Sequence, residues 1–118
     1  MSDFAIPHVA PLRFVKERIS ATLEDALVEI GFNEIPTFGM LIEAATQSSS
    51  GILNDEINGR VGFLVTLKNI KLLHEPQVTT YQVNIHLDYK LDDLRSLSFT
   101  IYDNDIIIMT GSFTITLR

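Results

Sequence analysis

The 118-residue chain is 46% apolar and 20% charged, a balance that suits one folded domain with a modest core and excludes a disordered chain. It contains no cysteine, which excludes disulfides and thiolate metal sites. Its net charge of −6, with nine scattered Lys and Arg, excludes nucleic acid as the main partner, because phosphate binding calls for clustered cations. The small basic groups at Arg13, Lys16 and Arg18 and at Lys68 and Lys71 are expected to be a solvated surface.

In chain order, Pro7 and Pro11 keep the opening IPHVAP irregular. Leu12–Ile19 is expected to be a short strand and Thr22–Ile30 a second. Gly31-Phe32-Asn33 breaks the pattern, and Pro36 fits the first turn of a helix. That helix is expected over Pro36–Leu53. Asn54–Gly59 is a polar connection. Val61, Phe63, Val65 and Leu67 alternate into Ile70, Leu72 and Leu73, a long strand that His74-Glu75-Pro76 interrupts. Val83, Ile85, Leu87 and Tyr89 define the next, with Gln82, Asn84, His86 and Asp88 opposite. Leu97, Phe99 and Ile101 begin another, and Asp103-Asn104 marks a hairpin turn. The last strand is expected to bury Ile107, Met109, Phe113, Ile115 and Leu117 around Gly111.

The order is therefore two short strands, one long helix and four long strands, without parallel βαβ alternation. The expected architecture is α+β: a mostly antiparallel sheet wrapped around the helix, with residues 1–118 forming one domain. The start MSDFAIPHVAPLRFVKE lacks a basic flank followed by an apolar run, so no signal peptide is read. The central stretch carries Glu43, Gln47 and five Ser/Thr residues, so no membrane span is expected and a cytoplasmic location follows by default.

The expected helix, PTFGMLIEAATQSSSGIL, holds one charge, Glu43. Leu41, Ala44, Ala45, Ser48, Ser49 and Ile52 recur at helical spacing and form a seam of mostly small side chains, so another backbone can lie close against it. A carboxylate in a helix this poor in charge must be paired, protonated or facing a cavity. Gln47, one turn later on the same face, is placed to orient it. The bland alternative is a structural Glu43 bonded to sheet backbone. The Ser48-Ser49-Ser50 run is expected to be helix packing. His74 in a turn and His86 on a solvent-facing strand position carry no expected role, and the three histidines have no metal-ligand spacing. Gly39 and Gly62 are too isolated to mark a phosphate loop.

Four segments together carry a resemblance: PHVAPLRFVKE at 7–17, MLIEAATQ at 40–47, VGFLVTLKNIKLL at 61–73 and the closing IYDNDIIIMTGSFTITL. In this order the chain resembles the hotdog-fold 3-hydroxyacyl-[acyl-carrier-protein] dehydratases over nearly its whole length. It departs from their best-known branch, whose Gly-His-Phe-Pro segment supplies a histidine before the helix: here that stretch is GFNEIPTFG. The helix-start glycine also falls out of register, near Phe38, and the hallmark Asp after the first strand is Glu17 or absent. The chain is thus closer to the aryl-polyene-type branch, which keeps the N-terminal histidine.

The resemblance implies His8 and Glu43 as catalytic residues. It implies substrate binding by Phe38, Gly39, Met40 and Gln47, and by Gly62 at the strand start. It further implies an acyl-carrier-protein or acyl thioester substrate, no cofactor or metal, and a homodimer or higher homo-oligomer with sheets paired edge to edge. Dehydration needs a base for the C2 proton, an acid for the departing hydroxyl and donors to the thioester oxygen. A neutral histidine suits the base, a desolvated glutamate the acid, and backbone N–H groups at Phe38–Met40 the donors. The alternatives are a hotdog thioesterase, in which a carboxylate activates water, and a non-catalytic acyl-binding or structural subunit, which the missing histidine favours.

Overall fold

The computed structural model describes residues 14–22, 24–49 and 62–117. The strands are β1 (Val15–Ala21), β2 (Asp25–Gly31), β3 (Gly62–Leu72), β4 (Thr80–Leu91), β5 (Leu94–Asp103) and β6 (Ile106–Leu117), with helix α1 (Phe38–Ser48) between β2 and β3. The strands form one sheet in the order β1-β2-β4-β5-β6-β3, every neighbouring pair antiparallel.

Period-two alternation builds this sheet. In β4, Tyr81, Val83, Ile85 and Leu87 are buried while Gln82 and Asp88 are exposed, as a strand with one covered face requires. Register carries the pattern across: Val28, Val83, Ile101 and Met109 form one cross-strand row, and Ala26, Ile85, Phe99 and Gly111 the next. A Cβ at Gly111 would run into Ile70 Cδ1 and lie 2.9 Å from the Phe99 ring. Glycine therefore leaves the space that those two side chains fill.

Two-residue turns close the hairpins. Leu91 pairs with Leu94 and Asp103 with Ile106, leaving Asp92-Asp93 and Asn104-Asp105 at the tips. Asp92 (φ 53°) and Asn104 (φ 54°) adopt the left-handed conformation, which Asp and Asn tolerate better than most residues. The second turn thus lies one residue later than the expected Asp103-Asn104.

The helix begins at Phe38, two residues after the expected start, because Thr37 rather than Pro36 organises its entry. The Thr37 hydroxyl accepts the Met40 N–H at 3.2 Å, an N-cap; Pro36 precedes the cap. Ser49 closes the helix, so the described helix has 11 residues, and positions 50–53 of the expected span lie outside the described residues. Leu41, Ala44, Ala45 and Ser48 are buried where the helix packs chiefly on β4, β1 and β2.

One expectation about burial changes. Ile107 is 37% exposed whereas Ile108 is buried, because a register shift between Ile101 and Tyr102 adds a residue to β6 and turns Ile108 and Met109 inward together. On β3, Val65 and Leu67 are 52% and 42% exposed: this strand is an edge, and its alternation marks a strand without covering it. Bulging a side chain into the Ile70–Phe99 contact should be costly. Gly111→Val is expected to destabilise by about 1–3 kcal/mol through overpacking, read as a lower denaturant midpoint at unchanged m-value.

Candidate functional site

Gly39, Glu43 and Gln47 stand four residues apart and therefore share one face of α1. The face changes along its length. Gly39 is exposed, and a Cβ there would touch nothing within 4 Å among the described residues. Glu43 is half-buried. Gln47 is 7% exposed. The fold thus leaves the first turn open and seals the last one.

Gln47 fixes the carboxylate. Its Nε2 donates to Glu43 Oε2 at 3.3 Å, and its Oε1 accepts the Phe14 backbone N–H at 2.9 Å in a buried hydrogen bond. The second bond orients the amide: its oxygen is engaged by the N–H, so its NH₂ end faces the glutamate. Glu43 is the paired carboxylate that the helix required. The three hydroxyls around it are bound to the preceding turn: Thr46 Oγ1 donates to the Glu43 carbonyl, Ser48 Oγ to that of Ala44 and Ser49 Oγ to that of Thr46, at 2.8, 2.7 and 2.7 Å. These bonds satisfy buried hydroxyls within the helix and give Ser48 and Ser49 a packing role.

Of the three backbone donors expected at the helix start, the Thr37 cap engages Met40, leaving those of Phe38 and Gly39. The Phe38 side chain is 46% exposed, and Met40 packs against the core. Gly62 opens the edge strand β3 opposite Leu117, on an element other than those the helix chiefly packs on. Glu17 is exposed on β1. His8 lies outside the described residues. Thr37 was not picked out by sequence reasoning, although a Thr directly before an apolar helical run is itself a capping signal.

The other histidines stand elsewhere. His74 Nδ1 lies 2.9 Å from the Ile107 carbonyl oxygen in an exposed turn. His86 faces outward from β4, away from the helix, with Nδ1 2.9 Å from Asp25 Oδ1 and Nε2 3.9 Å from Asp88 Oδ1. The hydrogen bond to Asp25 raises the His86 pKa above its usual 6.5. Among the described residues, no group of three or more His, Cys, Asp or Glu could hold a metal ion, and no helix is long and apolar enough to cross a membrane.

The sequence matches no family model and no curated protein. The structure does match solved ones. A mutant of the thioesterase enzyme SAV0944 from Staphylococcus aureus subsp. aureus Mu50 superposes with a TM-score of 0.75 at 9% identity, over 86% of this chain and 92% of that one. The HP0420-homologue from Helicobacter felis gives 0.73 at 16% identity, over 91% and 79%. A phenylacetic acid degradation-related protein from Ralstonia eutropha JMP134 gives 0.73 at 12%, over 85% and 83%. Likeness at such identities speaks for the fold: the antiparallel sheet with its single described helix is a hotdog fold.

Two outcomes test the geometry. Gln47→Ala strands the buried Phe14 N–H, and an unsatisfied buried donor costs about 1–3 kcal/mol, which thermal denaturation should register. Because His86 is raised, its pairing with Asp25 stabilises fully below pH 6.5 and is lost as pH rises through the raised folded value. The difference in melting temperature between wild type and Asp25→Asn should therefore be widest below that pH and narrow above it.

Proposed function

We propose that the protein hydrolyses acyl thioesters, with Glu43 as general base. The observation that carries this reading is the graded face of α1: a carboxylate oriented by Gln47, one turn below an uncovered glycine at the positive end of the helix. A thioester carbonyl lying against Gly39 would accept from the Phe38 and Gly39 N–H groups, where the helix dipole favours developing negative charge. One helical turn is about 5.4 Å, which leaves room for a water between that carbonyl and Glu43. Glu43 takes a proton as the water oxygen attacks the carbonyl carbon, and the resulting oxyanion rests on the two N–H groups. Collapse breaks the C–S bond, and the protonated Glu43 returns its proton to the leaving thiolate. The products are a carboxylic acid and a free thiol. This reaction needs one carboxylate and one water, and the thioesterase of similar fold supports it.

The Phe14–Gln47 hydrogen bond favours dehydration of 3-hydroxyacyl thioesters as a second reading. It fastens the chain to the helix one turn from Glu43, only six residues after His8. Six extended residues reach at most about 21 Å, so the tether allows His8 to serve as base beside Glu43. In either reading the substrate is an acyl thioester, on an acyl carrier protein or another thiol carrier, and residues 1–118 act as one cytoplasmic domain. The apolar edge of β3, which begins at Gly62, would pair with that of a second copy.

Free-thiol release from medium-chain acyl thioesters, followed by a thiol-reactive dye, tests the proposal. Wild type should release thiol, and Glu43→Gln should lose about 10²–10⁴-fold in kcat. Gly39→Val, whose Cβ meets no atom of the described residues, should keep its fold and lose activity. Full activity in Glu43→Gln, or formation of a trans-2-enoyl thioester without thiol release, would reject hydrolysis.

A further inference from the structure

The first turn of α1 is capped in a way that folding alone does not demand. Thr37 stands in extended backbone (φ −81°, ψ 168°) at the N-cap and engages two of the leading N–H groups. Its carbonyl accepts from Leu41 at 3.1 Å and its hydroxyl from Met40 at 3.2 Å. The Phe38 and Gly39 donors stay clear of this cap. The Thr37–Met40 bond is exposed, so water could take the place of the hydroxyl. The Phe14–Gln47 bond, by contrast, is buried. The first turn also carries no acidic residue, although a carboxylate there would favour the helix. Its third position, where a capping box puts Glu or Gln, is Met40. The turn thus sets no charge of its own against the positive helix end.

We propose, resting on hydrolysis with Glu43 as base, that Thr37 is a positioning residue for the thioester carbonyl. Its hydroxyl withholds the Met40 N–H, so the carbonyl settles on the Phe38 and Gly39 N–H groups alone. Successive donors lie about 100° apart around a helix axis, and Met40 packs against the core. A carbonyl drawn onto the Met40 N–H would swing away from the uncovered glycine toward that side. Its carbon would then leave the line of the water that Glu43 activates, and a misplacement of about 1 Å can cost ~10²-fold in rate. Threonine suits the task by being neutral as well. Aspartate would accept the same N–H and cap at least as well. Its charge, however, would oppose the oxyanion forming on the neighbouring donors. A neutral acceptor fixes the donor pair and leaves the field of the helix end to the transition state.

Thiol-release kinetics on Thr37 variants, each checked by thermal melting, test this role. Glycine is nearly as good an N-cap as threonine, so Thr37→Gly should melt within a few degrees of wild type. Lacking the hydroxyl, it should lose roughly tenfold or more in kcat with KM little changed. Thr37→Ser should restore kcat. Thr37→Asp should melt at or above the wild-type temperature yet stay slow, and it carries the test should Thr37→Gly fail to fold. A merely structural cap predicts activity in step with stability, and a fully active Asp variant. Amide NMR shifts on adding the ketone analogue of a medium-chain acyl thioester, with CH₂ in place of sulfur, report the donors without turnover. In wild type the Phe38 and Gly39 amides should move and Met40 should not; in Thr37→Gly the Met40 amide should move too. Wild-type kcat in Thr37→Gly or Thr37→Asp, or a shifted Met40 amide in wild type, would overturn this role and leave hydrolysis standing. Absence of thiol release from wild type, with the expected amide pattern, would reject hydrolysis and leave the donor pair standing.

Discussion

The Gln47 amide is where the fold and the candidate site meet. Its oxygen accepts a backbone N–H from Phe14, which pins the entry of β1 against α1; its nitrogen donates to Glu43. A buried backbone donor must find an acceptor, so the first bond is a demand of folding. Once it is made, the orientation of the amide is set and the donor presented to the carboxylate comes with it. The site therefore draws its rigidity from a bond that the sheet needs for its own reasons. Losing Gln47 would loosen the carboxylate and the β1–helix contact together.

Small side chains make that junction possible. Ala44, Ala45 and Ser48 let the helix settle on β4, β1 and β2, and hydroxyls at Thr46, Ser48 and Ser49 satisfy themselves on the preceding turn. Larger residues would push the helix away and lengthen the Phe14–Gln47 bond. At the far end of the same face the helix stays open at Gly39. In a helix, glycine costs about 1 kcal/mol relative to alanine, and among the described residues no neighbouring atom requires its small size. A ligand approaching the first turn would give that glycine a purpose.

Much of this was legible in the sequence, for physical reasons that can be named. The alternation in Tyr81–Leu87 and Leu97–Ile101 reports directly on a sheet with one covered face, and the small-residue seam at Leu41, Ala44, Ala45 and Ser48 reports on a closely packed helix. The sequence also placed Glu43 and Gln47 on one face, since their spacing is local. What failed depends on pairing. Ile107 turned outward because of a bulge that only its partner strand creates. The edge position of β3 follows from strand order, which periodicity does not contain. Asp25 and His86 meet across 61 residues. Thr37 was a local signal that Pro36 overshadowed.

The proposed chemistry rests on which atom attacks the thioester. Glu43 is the half-buried carboxylate of the helix, held one turn from two backbone donors, and that geometry suits activation of a water. A single turnover in ¹⁸O-labelled water, with the products resolved by mass spectrometry, addresses this most directly. Hydrolysis with Glu43 as base predicts one ¹⁸O atom in the released carboxylic acid and an equal amount of free thiol. An enoyl thioester carrying no label, with its thiol still esterified, would contradict it.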